Sequence, residues 1–494
     1  MTTTLRGVIL GRCPGARTTL TDIAEPQAAL PAATERRSRA APTLPLLVLG
    51  CFAIAALSLA GPSVPTQDSW SWIVWGREIA HLSLDTSSGS SWKPLPVLFT
   101  TPFALTGPDV APMLWLVVAR AGALLALVAA FGVARRLGGT LAGGAAAVGA
   151  LVIAPWFLRS CALGSSEGML VACVLGAVDR HLEGRRGQAF ALAVAAGLLR
   201  PEAWPFLGLY ALWLVWEDRA RLWRVAAGLS LIPLLWFPPE LWGSGDLLRA
   251  ASRARTPRPD SAAFAASPAR EVLDNAAAML TLPLWIGIGC ALVLLAARRW
   301  GRRDALAVGV LAAMAVAWVG VVAYMTKDGF SGNQRYLIMP VSLALVVAGA
   351  GVGRALGLLV RPARAGVGAV ALAAVVAALF ALPSTDRLGA VLDGMRYQGE
   401  LGHQLARAVD AAGGAARLRA CGHAYTGPFL VPAVAWQLHV HTNQVDLEPK
   451  RPEVVFRVRT NPGGRITPSL QRLGSAPLRT LAVTRDWRIV TACR

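Results

Sequence analysis

The sequence has few charged residues, which is the first constraint on its class. Asp, Glu, Lys and Arg together make up 15% of the 494 residues, whereas a typical soluble domain carries about 25%. Hydrophobic residues make up 55%, and the mean hydropathy is +0.50. This composition disfavours a soluble enzyme and indicates a membrane protein.

Cysteine and histidine are also scarce, with 7 and 6 copies respectively. The cysteines form no CxxC pair and have no histidines at matching spacing, so a zinc site has little support. Most of the cysteines lie in apolar runs, where a thiol is usually a small buried hydrophobic group.

Acidic residues are fewer than basic residues, with 28 Asp and Glu against 48 Lys and Arg. A nucleic-acid-binding domain would place its basic residues along one face of a polar domain. Here they form small clusters between apolar stretches, which is how a multi-pass membrane protein sets its orientation. We therefore expect membrane lipids as partners and no nucleic acid.

Apolar runs recur along the chain from residue 44 to residue 382. Their lengths predict about eleven transmembrane helices. The runs are 44–61, 111–134, 141–158, 169–181, 188–200, 203–217, 224–242, 276–297, 305–325, 337–358 and 366–382. The runs 169–181 and 188–200 are short for a full crossing. The predicted fold is an all-α polytopic membrane bundle, followed by a small C-terminal α/β domain.

The basic clusters predict the orientation of this bundle. Clusters such as Arg135-Arg136 and Arg298-Arg299 follow alternate runs, so they fall on one side of the membrane, which the positive-inside rule makes cytoplasmic. The N-terminal tail 1–43, which shows no periodicity, is then a disordered cytoplasmic segment. The long loops 62–110 and 243–275 fall on the outer side, where we expect half-embedded helices over a cavity.

The composition changes after residue 383, and the segment 383–494 is predicted to be an extracytoplasmic domain. It has a helical pattern over 388–412 and strand-like patterns near 417–420, 454–458 and 481–490. Cys421 and Cys493 are its only cysteines. An oxidising compartment favours their pairing in a disulfide.

Short motifs in the outer segments resemble those of a known superfamily. They are Asp68 after the first run, Lys93-Pro94-Leu95-Pro96, Arg135-Arg136-Leu137-Gly138-Gly139, Ser166-Glu167, Arg200-Pro201-Glu202 and Arg335-Tyr336-Leu337-Ile338-Met339-Pro340. In this order the chain resembles the polytopic GT-C glycosyltransferases over about residues 44–385. Within that superfamily it is most similar to actinobacterial mannosyl- and arabinofuranosyltransferases.

The resemblance implies an enzyme of the plasma (inner) membrane. Such an enzyme transfers a sugar from a polyprenyl-phosphate donor to a glycan, lipid or protein acceptor of the cell envelope. Asp68 departs from the Asp-Asp or Asp-x-Asp pair that many members carry. A divalent cation is therefore a possible cofactor, but it is not implied.

The transfer needs a base for the acceptor hydroxyl. Asp68 is the candidate, since partial dehydration can raise the pKa of a carboxylate toward the working pH. A helix cap, or a salt bridge to Arg77 or Lys93, is the alternative. Glu167 and Glu202 are candidates to orient the acceptor or, with Asp68, to hold a cation. Their alternative role is structural pairing with Arg159 or Arg200.

The departing phosphate needs cations, and arginine binds phosphate oxygens bidentately. Arg335, with the adjacent Tyr336, is the first candidate. The other candidate donor-phosphate ligands are Lys93, Arg200, Arg253, Arg255 and Lys327. Arg253 and Arg255 belong to an outer loop whose excess of cations breaks the positive-inside trend. Contact with acidic lipid headgroups is the competing explanation for that excess.

Two other classes remain compatible with the composition. A transporter or lipid flippase also has many spans with charges inside them, but the halves of this chain show no internal repeat. A non-catalytic membrane scaffold needs none of the charged outer motifs.

Overall fold

The computed structural model describes residues 43–359, 366–447, 449–473 and 477–493. The predicted N-terminal tail 1–43 lies outside the described residues except for Thr43. From Leu47 onward the chain forms one compact unit, which contains both the membrane helices and the sheet.

The described residues form nineteen α-helices. In chain order, α1 to α19 are Thr43–Leu57, Gln67–Ala80, Pro94–Phe103, Val110–Gly138, Leu141–Val152, Pro155–Ala162, Glu167–Leu182, Arg186–Gly197, Trp204–Glu217, Leu222–Ser244, Arg249–Ala254, Pro268–Ala278, Leu282–Ala296, Arg302–Lys327, Gln334–Leu359, Val367–Ala381, Thr385–Ala411, Gly414–Ala420 and Val431–Leu438. Every predicted apolar run contains helix, so the prediction of a helical membrane bundle is confirmed.

The predicted number of spans is not confirmed. Within the described residues, five helices are long and apolar enough to cross a membrane, and seven if each bent pair counts as one span. The bent pairs are α5–α6, bent by 68°, and α12–α13, bent by 96°. Pro155 and Pro283 lie at the starts of α6 and α13, and a proline at these positions leaves no N–H to continue the preceding helix. The helices α7, α8 and α9 have 16, 12 and 14 residues, whereas a full crossing takes about 20.

Among the five long apolar helices of the described residues, α15 is the most enclosed: 83% of an apolar 18-residue stretch of it is buried. Glycines let α5 approach it closely. A Cβ added at Gly143 would lie 2.8 Å from the carbonyl oxygen of Gly349 and 3.2 Å from the Cα of Gly353. Membrane helices commonly use small residues at such contacts, since dispersion rather than the hydrophobic effect drives their association.

The C-terminal segment contains a mixed sheet. Strands β1 to β6 are Ala424–Thr426, Val445–Asp446, Val454–Arg459, Ile466–Thr467, Arg479–Val483 and Trp487–Thr491. The order is β2-β1-β3-β6-β5, with β4 paired to β3. The strands β2, β1 and β3 are parallel, and the other pairs are antiparallel. The predicted small C-terminal α/β domain is thus confirmed as a fold.

Two of its predicted elements need correction. The segment 417–420 is the end of α18 and not a strand; the strand begins only at Ala424, after Gly422 turns the chain with φ +111°. The single strand expected over 481–490 is a hairpin of β5 and β6, since Thr484, Arg485 and Asp486 form the connection. Cys421 and Cys493 are joined by a disulfide, with Cα atoms 5.4 Å apart.

The sheet domain packs directly on the first outer loop. Arg77 Nη2 in α2 donates to the carbonyl of Val440 at 2.6 Å, and Glu78 Oε1 lies 2.9 Å from His441 Nδ1. Trp436 Nε1 in α19 donates to the carbonyl of Pro108 at 3.2 Å. These contacts pack α19 and the loop that follows it against α2 and the segment before α4.

The glycine contact predicts an asymmetry between two otherwise similar substitutions. Gly143→Val should lower the free energy of unfolding by about 1–3 kcal/mol, since the added methyl groups force α5 and α15 apart. Gly208→Val is the matched control, because no described atom lies within 4 Å of a Cβ there. Thermal unfolding in detergent, followed by size-exclusion chromatography, measures both. Equal stability of the two variants would contradict the close packing.

Candidate active site

A cavity of about 930 Å³ lies between the sheet domain and the helix ends that face it. Its walls come from the starts of α2 and α15, from α6, from the outer loops and from α17 and α19. Predicted site residues that line it are Asp68, Lys93, Arg200, Arg253, Arg335 and Tyr336. The structure therefore gathers residues that are far apart in the chain at one place.

Backbone and hydroxyl contacts bring the start of α2 to the start of α7. The Thr66 N–H donates to the carbonyl of Leu163 at 2.9 Å, and Ser69 Oγ donates to the carbonyl of Gly164 at 2.6 Å. Asp68 and Glu167 occupy the first turns of these helices, where the helix dipole stabilises a carboxylate. The two acids are thus held close to each other at two helix N-termini.

Asp68 is bound by an arginine and a serine. Its Oδ2 accepts from Arg335 Nη1 at 2.8 Å, and its Oδ1 accepts from Ser90 Oγ at 2.9 Å. Burial alone raises the pKa of Asp68, but the positive charges of Arg335 and Lys93 outweigh it, so the pKa lies below its usual value. This direction is opposite to the one expected from the sequence, because the guanidinium stabilises the charged carboxylate.

Glu167 is buried with 1% of its surface exposed. Its Oε1 accepts from Arg335 Nη2 at 2.9 Å and Nε at 3.1 Å, and from Arg200 Nη2 at 2.6 Å. Arg335 therefore joins both acids. Its backbone N–H donates to the side chain of Asn333 at 3.1 Å, which helps to shape the start of α15. The alternative partner of Glu167, Arg159, makes no such contact within the described residues.

Arg200 connects this cluster to the second glutamate. The residue before a proline is driven to an extended conformation, and Arg200 precedes Pro201 with φ −149° and ψ 127°. Arg200 Nη1 donates to Glu202 Oε1 at 3.3 Å, and its guanidinium lies 4.5 Å from the ring centroid of Tyr336. Glu202 is buried, so its contact is the structural pairing that was the alternative to an acceptor role.

Lys93 is, like Arg200, a buried cation of the cavity. Its Nζ donates to Ser166 Oγ at 2.9 Å and lies 5.1 Å from the ring centroid of Trp72. Burial and the neighbouring charge of Arg200 lower the pKa of Lys93 to about 7. An ammonium group with one protein hydrogen bond keeps donors free for a ligand.

The outer-loop cations divide into two groups. Arg253 lines the cavity, and its Nε donates to the carbonyl of Gly89 at 3.2 Å. Arg255 does not line it; this side chain pairs with Asp328 at 2.6 Å on the surface. Lys327 is also exposed and does not line the cavity.

Two further arginines, Arg159 and Arg258, also line the cavity. Arg258 belongs to the loop 243–275, whose excess of cations was already the relevant signal. Arg159 lies in α6 and comes to the cavity only because α5 and α6 bend at Pro155. No sequence pattern indicates that bend angle.

Arg120 lies inside α4 and has a structural role. Its guanidinium donates to the carbonyls of Ser58, Pro62 and Ala162 at 2.8 to 3.0 Å. Pairing with neighbouring carbonyls is what a buried arginine in a membrane helix requires.

The carboxylates do not form a metal site in this arrangement. Within the described ranges, no group of three or more His, Cys, Asp or Glu residues could hold a metal ion. Asp68, Glu167 and Glu202 are each bound to an arginine instead. The residues present therefore do not fit a divalent cation, and no step is assigned to one.

Two crystal structures of ArnT from Cupriavidus metallidurans are similar to this chain. The structure bound to undecaprenyl phosphate has 15% sequence identity and a TM-score of 0.55, over 90% of this chain and 97% of ArnT. The apo structure has 16% identity and a TM-score of 0.55, over 91% and 97%. No protein-family model and no curated protein sequence matches the chain. The chain therefore has the fold of ArnT, which is the fold that the resemblance to the GT-C glycosyltransferases predicts.

The buried arginine cluster predicts a large difference between two Arg→Met substitutions. Arg200→Met should lower the free energy of unfolding by about 3–5 kcal/mol, because it leaves the buried Glu167 and Glu202 short of a partner. Arg255→Met, which removes an exposed ion pair, should cost at most about 1 kcal/mol. Thermal unfolding of the two single variants measures this difference. The double variant Arg200→Met/Glu202→Gln is measured in the same way. If adding Glu202→Gln recovers none of the lost stability, the unpaired charge of Glu202 is not the cause of the loss.

Proposed function

We propose that this chain is a membrane glycosyltransferase of the outer face. It transfers a sugar of the mannose or arabinofuranose class, as a hexosyl- or pentosyltransferase. The donor is a polyprenyl-phosphate sugar, and the acceptor is a glycan, lipid or protein of the cell envelope. The observation that carries the proposal is the meeting of Asp68, Lys93 and Arg335 in one cavity of a GT-C fold.

The cavity has the charge that a lipid-phosphate donor needs. Among the described residues that line the cavity, six cations face two carboxylates, those of Asp68 and Asp260. The cations are Lys93, Arg159, Arg200, Arg253, Arg258 and Arg335. Charges fixed in a partly dehydrated site stabilise the negative charge that develops on a departing phosphate. The ArnT neighbour was crystallised with undecaprenyl phosphate, which supports a donor of the same lipid-phosphate class.

Asp68 is proposed as the base. In the transfer, the acceptor hydroxyl gives its proton to the Asp68 carboxylate while its oxygen bonds to the anomeric carbon. The bond from that carbon to the phosphate oxygen breaks, and polyprenyl phosphate leaves with the electron pair. A donor phosphate that draws Arg335 toward itself weakens the pairing of Arg335 with Asp68. The pKa of Asp68 then rises, which strengthens it as a base.

The proposed topology follows from the same arrangement. The N-terminus lies in the cytoplasm, residues 44–382 form the membrane domain and residues 383–494 form the extracytoplasmic domain in the plasma (inner) membrane. The Cys421–Cys493 disulfide supports an oxidising location for that last domain, since thiols stay reduced in the cytosol.

An assay of sugar transfer tests the proposal. Purified protein in lipid nanodiscs is supplied in parallel with radiolabelled polyprenyl-phosphate mannose and polyprenyl-phosphate arabinose, with neutral alkyl glycosides as acceptors. We expect transfer from one donor, and Asp68→Asn should reduce kcat by about 100-fold or more, because it keeps the shape and removes the basicity. Undecaprenyl phosphate binding should persist in that variant.

Asp246→Asn is the matched control, because Asp246 is exposed in the loop 243–275 and does not line the cavity. Undiminished transfer by Asp68→Asn would remove it as the base. A wild-type protein that binds undecaprenyl phosphate but transfers neither sugar would favour a flippase, and one that does neither would favour a scaffold.

Lys93 predicts a pH dependence of donor-phosphate binding. With a pKa of about 7, Lys93 loses its positive charge as the pH rises above neutrality. We therefore expect the affinity for undecaprenyl phosphate to fall between pH 7.5 and pH 9, a range in which the phosphate is already fully ionised. Lys93→Arg, which keeps the charge, should flatten the curve. Binding by wild type that does not change over this range would contradict the role of Lys93.

A further inference from the structure

The cavity has two walls of different chemistry. All of its lining cations and both of its lining carboxylates come from the membrane domain. None of the described lining residues from beyond residue 383 is ionisable. The sheet domain and the helices α17 and α19 therefore present an uncharged surface, which we call the C-terminal wall, opposite a strongly charged one.

Carboxamides are the main polar groups of the C-terminal wall. Gln398 in α17, Gln437 in α19 and Asn461 after β3 line the cavity. Gln398 Nε2 donates to the carbonyl of Thr460 at 3.4 Å. No hydrogen bond joins the carboxamide of Gln437 or Asn461 to another described residue. These two side chains are thus free to bind a ligand in the cavity.

Phe429 adds an apolar surface where the two walls meet. It follows Pro428 in the connection after β1, and its φ is +73°, a conformation that is rare for a bulky residue and is often found at functional sites. Phe429 is 40% exposed. The guanidinium of Arg258, from the charged side, lies 3.4 Å from its ring centroid.

This combination suits one kind of ligand. A carboxamide both donates and accepts hydrogen bonds, as a sugar hydroxyl does, and an aromatic ring packs against the C–H groups of a sugar. A phosphate or carboxylate held at Gln437 and Asn461 would lose hydration, and the described lining residues of the C-terminal wall supply no cation of their own to pair with it. On the opposite wall, such a group would compete with the donor phosphate for the same cations.

We infer that the C-terminal wall, through Gln437, Asn461 and Phe429, is the acceptor subsite and that it holds an uncharged saccharide. This inference rests on the proposed function and adds the class of acceptor to it. The acceptor hydroxyl then enters from the sheet domain and the donor phosphate from the membrane domain. Asp68 lies in the cavity between them.

Acceptor kinetics test this assignment. The full-length protein in nanodiscs is assayed with its preferred radiolabelled donor and two acceptors, an octyl glycoside and the same glycoside carrying a phosphate on a distal hydroxyl. We expect the neutral acceptor to have the higher kcat/KM. Gln437→Leu should raise the KM for the neutral acceptor by about 3- to 10-fold, the loss of one hydrogen bond, with the donor KM unchanged.

Asn461→Ala is a second variant at an exposed position, where a folding defect is not expected, and it should raise the same KM. Gln471→Leu is the matched control, because Gln471 lies in the sheet domain, is exposed and does not line the cavity. Undecaprenyl phosphate binding by each variant reports on its folding.

The outcomes separate this inference from the proposed function. Wild-type protein that transfers sugar, together with an unchanged acceptor KM in Gln437→Leu and Asn461→Ala, would overturn the acceptor subsite alone. A preference for the phosphorylated acceptor would also overturn it. Wild-type protein that neither binds undecaprenyl phosphate nor transfers sugar would overturn the proposed function, and the subsite with it.

Discussion

The site depends on the ion pairs that the guanidinium of Arg335 makes with two carboxylates. Arg335 lies at the start of α15 and binds Asp68 at the start of α2 and Glu167 at the start of α7. Two carboxylates this close, one of them buried, would repel each other and would be poorly solvated without a shared cation. The same guanidinium favours the ionised form of both acids, of which Asp68 lies at the wall of a cavity with an excess of cations.

That guanidinium can bridge the two acids only because the helices that carry these residues are packed closely. Helix α15 passes through the bundle, and glycines at its contact with α5 let the backbones approach to van der Waals distance. At the outer end, hydroxyl and backbone contacts hold α2 against the turn before α7. Packing in the apolar region therefore sets the positions of the charged groups above it.

The sheet domain completes the cavity and gives it two chemically distinct sides. Its attachment through Trp436 and through the Glu78–His441 contact places α17 and α19 opposite the cations. The proposed reaction moves a sugar from a lipid phosphate to an acceptor hydroxyl, so an anionic donor and, by our inference, an uncharged acceptor bind side by side. The described lining charges all lie on the wall from the membrane domain and none lies on the C-terminal wall, which meets that requirement.

Sequence alone was sufficient for the helical class and the C-terminal α/β domain, because apolar periodicity is a local property of the chain. The order of short motifs also singled out Asp68, Glu167 and Arg335, which the structure brings into contact. Tertiary structure decided which charges meet. It turned Lys327 and Arg255 to the surface and brought Arg159 into the cavity, and it lowered the pKa of Asp68 where dehydration alone would raise it. Helix bends, the direction in which a side chain points and the partner of a buried charge all depend on residues distant in the chain, so no local pattern specifies them.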